Sequence, residues 1–201
     1  ALRLVGSEMC IRDRTKPMIN FKLLMRYFSR SLVAVCLGFL LIGCSAKISD
    51  YQSTTPEFDM KTFFDGKLEA YGMVQNRDGK VIRRFRADLI GSWEGNKGVL
   101  EEDFFYDDGE TQRRVWNLVE HADNRYTGVA SDSVGEASGQ SQGFAFNWQY
   151  TLAIEVDDTV WDIHLNDWIY QLDESRLINQ TEMTKWGFKV GQITLVIEKI
   201  K

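Results

Sequence analysis

The sequence predicts an all-β protein, a single antiparallel up-and-down barrel of about nine strands. Apolar and polar residues alternate with a period of two, repeatedly, from residue 67 to residue 200. The alternating runs are separated by short turns rich in Gly, Asn and Asp. Successive runs have no helical segment between them, although a parallel sheet would require such crossovers. These observations together indicate an antiparallel meander.

The clearest strand spans residues 144–156, where Phe146, Trp148 and Tyr150 share one face. The nine predicted strands are 67–75, 81–93, 99–106, 111–121, 126–137, 144–156, 160–172, 176–184 and 188–200. Residues 138–143 are interpreted as a small polar loop. A short helix is predicted over 59–64, because Asp59 is an N-cap type residue and Gly66 would stop the helix.

A meander of nine strands must protect its two edge strands from pairing with other chains. Closure into a barrel removes both edges, and a barrel of this size has room for side chains or one small ligand. A β-sandwich is the alternative fold, but it would need longer connections that cross between sheets. The short turns therefore favour the barrel.

The segment that ends at Cys44 has the pattern of a bacterial lipoprotein signal peptide. Lys22, Arg26 and Arg30 flank the start of an apolar run that ends in Leu-Ile-Gly-Cys. The run is about a dozen residues long, whereas a transmembrane helix needs about 20. We expect Cys44 to carry a diacylglyceryl group and to become the first residue of the mature chain. A plain signal anchor with a chance cysteine is the alternative.

The chain divides into four segments on this basis. Residues 1–17 resemble translated sequencing-adapter read-through and are excluded from fold reasoning, with a genuine N-terminal extension as the alternative. The signal peptide occupies 18–43 and starts at Met18 or Met25. Residues 44–57 are polar and small and are interpreted as a flexible tether, and 58–201 as the barrel domain. Ser45 after the lipidated cysteine is typical of lipoproteins sorted to the outer membrane. We therefore expect the protein to be anchored in the inner leaflet of the outer membrane, facing the periplasm.

The predicted mature chain is acidic and has a single cysteine. Residues 1–43 hold seven of the 24 Lys and Arg and two of the 29 Asp and Glu, which leaves a net charge of −10. Because nucleic-acid binding needs a basic surface, this class of partner is excluded. With Cys44 as the one remaining cysteine and only two histidines, neither a thiol nucleophile nor a zinc site is expected. The sequence contains no phosphate-loop or dinucleotide motif, so no cofactor is expected.

Adjacent arginines on two predicted strands are the first candidates for a ligand site. In Arg83-Arg84 and in Arg113-Arg114, alternation sends one side chain inward and the other outward. An inward guanidinium needs an acidic partner, which Asp167 or Glu182 could supply in an internal ion pair. Alternatively, it pairs bidentately with the carboxylate of a fatty acid. Both interpretations stay open, and Arg84, Arg113 and Arg114 are candidate ligand-binding residues.

Aromatic side chains at alternate positions would line the barrel or an apolar pocket within it. The candidates for this wall are Trp116, Phe146, Trp148 and Tyr150. His164 lies in mid-strand close to Asp167 and Trp168. An enzymatic activity would have to depend on His164 and Asp167. A polar outer face covered by Trp168 is the alternative interpretation of His164.

Carboxylates cluster around one predicted hairpin, at Glu101, Glu102, Asp103, Asp107, Asp108 and Glu110. A glycosidase needs two carboxylates that face each other across a cleft. Alternation and the turn separate these six, so we interpret them as a solvated acidic hairpin.

Seven strings of residues, spread over nearly the whole mature chain, resemble those of a known family. They are 79–85, 108–116 (Asp-Gly-Glu-Thr-Gln-Arg-Arg-Val-Trp), 147–152, 167–168, 177–179, 183–185 and 187–191. The family is a lipoprotein family catalogued as Domain of Unknown Function 3833. The resemblance implies a lipidated envelope protein of Gram-negative bacteria with a lipocalin-like barrel and no established activity. Genes of this kind are often found beside those of fatty-acid-modifying enzymes, which favours a lipid ligand.

Three functions are consistent with these features. The first is a lipid-anchored module that binds or carries a fatty acid, lipid or similar apolar molecule in its barrel. The second is a structural or assembly factor with a solid barrel whose acidic surface contacts another envelope protein. The third is an enzyme that acts on a lipid-like substrate through His164 and Asp167. A hollow barrel would favour the first over the second.

The anchor can be tested at Cys44. We expect Cys44→Ser to leave an unprocessed precursor, because no thiol remains to be acylated. Immunoblotting of membrane and soluble fractions would measure this. Processing and membrane partition equal to those of the wild type would contradict the lipoprotein interpretation.

Overall fold

The computed structural model describes residues 45–156 and 159–200 and shows a closed antiparallel barrel. A short helix, α1 (Met60–Phe64), precedes the strands. The strands are β1 Gly66–Asn76, β2 Val81–Glu94, β3 Lys97–Tyr106, β4 Thr111–His121, β5 Arg125–Val129, β6 Ala137–Gln142, β7 Ala145–Val156, β8 Thr159–Gln171, β9 Arg176–Lys185 and β10 Phe188–Lys199. The predicted fold class, an all-β up-and-down barrel after a short helix, is confirmed.

Closure of the barrel depends on the pairing of its first and last strands. Each strand pairs with the next one along the chain, and β10 returns to pair with β1 from Leu68–Lys199 to Asn76–Gly191. Because β1 also pairs with β2, neither strand is left with a free edge. Side chains at alternate positions therefore point either into an enclosed lumen or outward.

The barrel has ten strands where the sequence indicated about nine. The predicted strand 126–137 is interrupted after Val129, and the predicted polar loop 138–143 is largely strand β6. The interruption occurs where the Ser133 hydroxyl donates to the Ala130 carbonyl oxygen and accepts from the Ala130 N–H, closing a turn. The β6 sequence Ala-Ser-Gly-Gln-Ser-Gln has no apolar alternation, and its strand is held by backbone pairing with β5 and β7.

Helix α1 closes one end of the barrel. The Asp59 side chain accepts a hydrogen bond from the Thr62 N–H at 2.5 Å and caps the helix, as its position indicated. The side chains of Phe58, Met60, Phe63 and Phe64 are buried against the strands. The Phe58 ring lies 5.6 Å from that of Phe146, between centroids, at the start of β7. The opposite end, where the β1–β2, β3–β4 and β9–β10 turns lie, has no such plug among the described residues.

The segment interpreted as a flexible tether, 44–57, contacts the barrel at several of its described residues, 45–57. Residues Ile48–Tyr51 form a 3₁₀ turn, and the Tyr51 ring contacts the rings of Phe144, Trp168 and Tyr170. The Phe58 N–H donates to the Gly143 carbonyl oxygen at 2.7 Å. The Tyr51 ring is half-buried on the outer wall, and residues from Ala46 onward form one compact unit with the barrel.

Several predictions fall on residues outside those described. They are the excluded segment 1–17, the signal peptide 18–43 and the lipidation site Cys44. Within the described part of the chain, the helices are too short to span a bilayer.

Gly91 on β2 is where α1 and the barrel wall approach most closely. A Cβ atom at this position would lie 1.6 Å from the carbonyl oxygen of Phe64. Because that contact is with backbone, α1 would have to move. We expect Gly91→Ala to lower the free energy of unfolding by about 1–3 kcal/mol, measured by urea denaturation of residues 46–201, which contain every described element.

Ser92→Ala is the matched control, since Ser92 is the exposed neighbour of Gly91 on the same strand. We expect it to change the free energy of unfolding by less than about 0.5 kcal/mol. Equal stability of the two variants would contradict a tightly seated plug.

Candidate ligand-binding site

The barrel encloses a cavity of about 670 Å³. This volume is within the range of about 300–1,000 Å³ that is usual for small-molecule sites. The cavity reaches from Met60 and Phe64 of the plug to Ile82, Glu110 and Ala153, which are exposed at the far rim. The lumen is therefore closed at one end and open at the other.

Aromatic residues of β4 and β7 form one wall of this lumen. Alternation along β7 points Phe146, Trp148 and Tyr150 inward, and Trp116 of β4 faces them. The Trp116 ring meets those of Trp148 and Tyr150 edge-on, with centroids 5.8 and 5.3 Å apart. Leu and Ile side chains from the other strands continue the apolar surface. All four residues predicted for the aromatic wall line the cavity.

The buried Arg114 lines the lumen and is already paired with acidic residues. The Arg114 side chain is 11% exposed and makes an ion pair with Asp132, with its Nη2 2.8 Å from Oδ2. Its Nε also donates to Asp132 at 2.9 Å, and Glu102 lies 3.8 Å from Nη1. Burial lowers the pKa of Arg114, but the hydrogen bond to Asp132 and the charge of Glu102 outweigh it, so the pKa stays above its usual value.

Asp132 reaches Arg114 because its loop folds back onto β7. The Ala153 N–H donates to the Asp132 carbonyl oxygen at 2.9 Å, and the Val134 N–H donates to that of Thr151 at 2.8 Å. The loop between β5 and β6 thus supplies the carboxylate that pairs with the lumenal Arg114.

Two carboxylates, those of Glu102 and Asp167, line the lumen with too few opposite charges and hydrogen bonds to offset the cost of their burial. Burial raises the pKa of Glu102 to about 7, with Arg114 opposing and Asp167 and Asp132 adding to the rise. Burial also raises the pKa of Asp167 to about 6. The Asp167 side chain accepts a hydrogen bond at Oδ2 from the Tyr150 hydroxyl at 3.2 Å. Hydrogen bonding from the Thr181 and Asn179 side chains also lowers its pKa, although Oδ1 has no hydrogen bond of standard geometry.

A second arginine, Arg83, lies at the rim and belongs to the acidic hairpin. Its Nε is 2.7 Å from Asp108 and its Nη2 is 2.5 Å from Glu110. Its guanidinium carbon also sits over the Tyr106 ring, 3.5 Å from the centroid. The guanidinium is therefore shared between two carboxylates and an aromatic face.

Six of the ten residues predicted for the ligand site line the lumen: Arg114, Trp116, Phe146, Trp148, Tyr150 and Asp167. The other four lie on the outer face: Arg84, Arg113, His164 and Trp168. Period-two alternation is the reason, because each of these four has the parity opposite to the lumenal residues of its strand.

The outward residues have partners of their own. Arg84 pairs with Asp107 at 2.9 Å, and Arg113 pairs with Asp103 at 2.9 Å and with Glu101. Trp168 packs against Tyr51. His164 is exposed on the face of β8 opposite to Asp167, so these two side chains do not meet in one site. The predicted dyad for an enzymatic activity is not assembled.

Among the charged residues, sequence reasoning missed Glu102 and Arg83, which line the lumen, and Asp132, which pairs with Arg114. Glu102 was interpreted as part of a solvated hairpin, but it alternates with Leu100 and Phe104, which line the cavity. Arg83 shares its parity with Phe85 in the same way. Both could have been found from alternation, whereas Asp132 lies in a loop that the sequence presented as strand.

The raised pKa values give a pH-dependent stability of definite sign. The folded state holds protons on Glu102 and Asp167 at pH values where the unfolded chain has lost them. We therefore expect the free energy of unfolding to fall as the pH rises from about 4 to about 7. At about 1.4 kcal/mol per pKa unit, Glu102→Gln should flatten this fall by about 2–3 kcal/mol, measured by urea denaturation at several pH values.

Glu101→Gln is the control, since Glu101 precedes Glu102 on the outer face and pairs with Arg113. Its pH profile should follow that of the wild type. Carboxyl groups with lowered pKa values, such as Asp107 and Asp108, act in the opposite direction and at lower pH. The same slope in Glu102→Gln as in the wild type would show that Glu102 is not a buried acid.

Comparisons with known structures agree with the barrel. The S-type phycobiliprotein lyase CPES of Guillardia theta matches with a TM-score of 0.51 and 12% identity, over 68% of this chain and 89% of that chain. EF1p2_mFAP2b, bound to DFHBI, matches with a TM-score of 0.40 and 9% identity, over 69% of this chain and 94% of that chain. The redesigned β-barrel mFAP1, bound to DFHBI, gives 0.39 and 8%, over 70% and 100%. These likenesses concern the fold alone.

Sequence comparison identifies the family. A search of curated proteins gave no match to this chain. The family model described as "Protein of unknown function (DUF3833)" matches residues 38–199, which include α1 and all ten strands. The chain therefore belongs to the DUF3833 family.

Proposed function

We propose that this protein is a lipid-anchored envelope protein whose barrel binds a small, mainly apolar molecule, such as a lipid or another compound with an acyl chain. The observation that carries the proposal is the lumen of about 670 Å³, open at one end and walled by Trp116, Phe146, Trp148 and Tyr150. An apolar wall with a few convergent polar groups is the usual form of a small-molecule site.

The hollow lumen separates this function from the first alternative. A structural or assembly factor has no need of a cavity, and a space of this size forgoes packing that would otherwise stabilise the fold by several kcal/mol. The second alternative, an enzyme with His164 and Asp167, lacks support because the two side chains lie on opposite faces of β8.

The anchor at Cys44 sets how far the barrel extends from the membrane. Ser45, Ala46 and Lys47 are the residues between Cys44 and the 3₁₀ turn that packs on the outer wall. Three extended residues span at most about 10 Å. With Cys44 acylated in the outer membrane, the barrel would be held close to the membrane through its outer wall beside the start of β7, at the end that α1 closes.

Filling the lumen tests the function directly. Leu195 of β10 lines the cavity, so Leu195→Trp would place an indole inside it. We expect the wild type to bind phenylnaphthylamine, an uncharged fluorophore, saturably. The variant should bind it at least about tenfold more weakly, because a tenfold loss of affinity requires only about 1.4 kcal/mol of binding free energy. Fluorescence titration of residues 46–201 measures both.

Val196→Trp is the matched control, because it introduces the same side chain at the next position of β10, which does not line the lumen. It should bind the fluorophore as the wild type does. Absence of saturable binding to the wild type, or equal affinity in all three proteins, would contradict a binding function of the lumen.

A further inference from the structure

We propose that the polar end of the ligand is a cationic or N–H-donating nitrogen group, such as an alkylammonium, held by Glu102 and Asp167. The proposal rests on the proposed function, since it specifies the head group of a molecule whose apolar part fills the lumen. It differs from the expectation of a fatty-acid carboxylate paired with an inward arginine.

The arginines of the lumen are already committed to acidic partners. Among the described residues that line the cavity, the Lys and Arg side chains are Arg83 and Arg114. Arg114 makes a bidentate pair with Asp132 and lies beside Glu102, and Arg83 is held by Asp108 and Glu110. A ligand carboxylate would have to displace one of these partners and leave it buried without compensation.

The inner cluster has more acidic groups than basic ones. Asp132, Glu102 and Asp167 lie around the single guanidinium of Arg114. Its positive charge lowers the pKa values of Glu102 and Asp167, but it does not offset the rise that burial causes. A ligand carboxylate would add a fourth acidic group to this cluster. An ammonium group would instead offset the excess, and Coulomb attraction is strong where water is excluded.

Around Asp167, the buried polar atoms without a hydrogen bond of standard geometry are acceptors, whereas at the rim the corresponding atom is the donor Arg83 Nε, which is paired with Asp108 at 2.7 Å. Asp167 is 5% exposed and Asn179 is 6% exposed, and both line the cavity on the neighbouring strands β8 and β9. In each, Oδ1 is buried and has no hydrogen bond of standard geometry. Because a buried acceptor without a partner costs free energy, these atoms favour a ligand that donates hydrogen bonds. An ammonium has three N–H donors and no acceptor.

A metal ion is a poorer fit than an organic cation. Within residues 45–156 and 159–200, the His, Cys, Asp and Glu side chains form no group of three placed to hold a metal. The aromatic wall next to the acids also favours a cation that carries an apolar body.

The proposal predicts that the affinities for an alkylammonium and for a carboxylate change in opposite directions with pH. The pKa values of Glu102 and Asp167 are raised to about 7 and about 6, so both acids lose protons as the pH rises through this range. An alkylammonium should bind more tightly at about pH 8 than at about pH 5, and a carboxylate more weakly.

Three probes of equal chain length test the head group. Dodecylamine, dodecanol and dodecanoate, below their micellar concentrations, would be titrated against residues 46–201 loaded with phenylnaphthylamine. Displacement reports only on binding in the lumen. At about pH 8 we expect the amine to bind at least tenfold more tightly than the alcohol, and the acid more weakly than either.

Two lumenal variants and one control locate the effect. Glu102→Gln and Asp167→Asn should each reduce the affinity for dodecylamine about tenfold or more, while leaving dodecanol within about threefold. Glu101→Gln, on the outer face of the same strand as Glu102, should bind all three probes as the wild type does. If Asp167→Asn does not fold, the affinity of Glu102→Gln for dodecylamine still tests whether a lumenal acid holds the head group.

The inference is overturned if dodecanoate binds as tightly as dodecylamine, or if Glu102→Gln leaves the preference for the amine unchanged. Failure of all three probes to displace the fluorophore also overturns it. In that last case the proposed function stands as long as phenylnaphthylamine binds to the lumen, and fails with the inference if it does not.

Discussion

Pairing of β1 with β10 is the constraint on which the rest of the structure depends. Without it, ten antiparallel strands would form an open sheet with two exposed edges and no interior. With it, the period-two alternation of every strand becomes a choice between lumen and surface. A single shift in parity therefore decides whether a residue can contact a ligand. Arg83 and Arg84 are neighbours in sequence, yet one lines the cavity and the other pairs with Asp107 outside.

The same register distributes charge between the two faces. In the β3–β4 hairpin, Asp103 stands opposite Arg113 on the outer face and Glu102 stands opposite Arg114 in the lumen. The outer pair is solvated and contributes little to stability. The inner pair is desolvated, and burial opposes the charge of both groups. Ionisable groups that a fold keeps in an apolar interior at such cost are candidates for function, and here they lie beside an aromatic wall in an open cavity.

Alternation and turn residues predicted the fold class, the plug helix with its Asp59 cap, and the aromatic wall from Trp116 to Tyr150. The same pattern was sufficient to place Arg83 and Glu102 inward, because each alternates with lumenal aromatic residues. Instead, Arg84 was the predicted candidate of its pair, and Glu102 was interpreted as part of a solvated acidic hairpin. Strand β6 could not be predicted, since its six residues have no apolar face and are held by backbone pairing alone. Asp132 could not be assigned either, because its position depends on a loop that folds back onto β7 through long-range backbone hydrogen bonds.

The central claim is that the lumen holds a small molecule in the cell. Native mass spectrometry of the protein isolated from its own host tests this most directly. The account predicts a discrete added mass on the wild-type protein that is lost on denaturation and is absent from a variant whose lumen is filled by a tryptophan at position 195. A wild-type protein found only at its bare polypeptide mass, under conditions that preserve the fold, would contradict it.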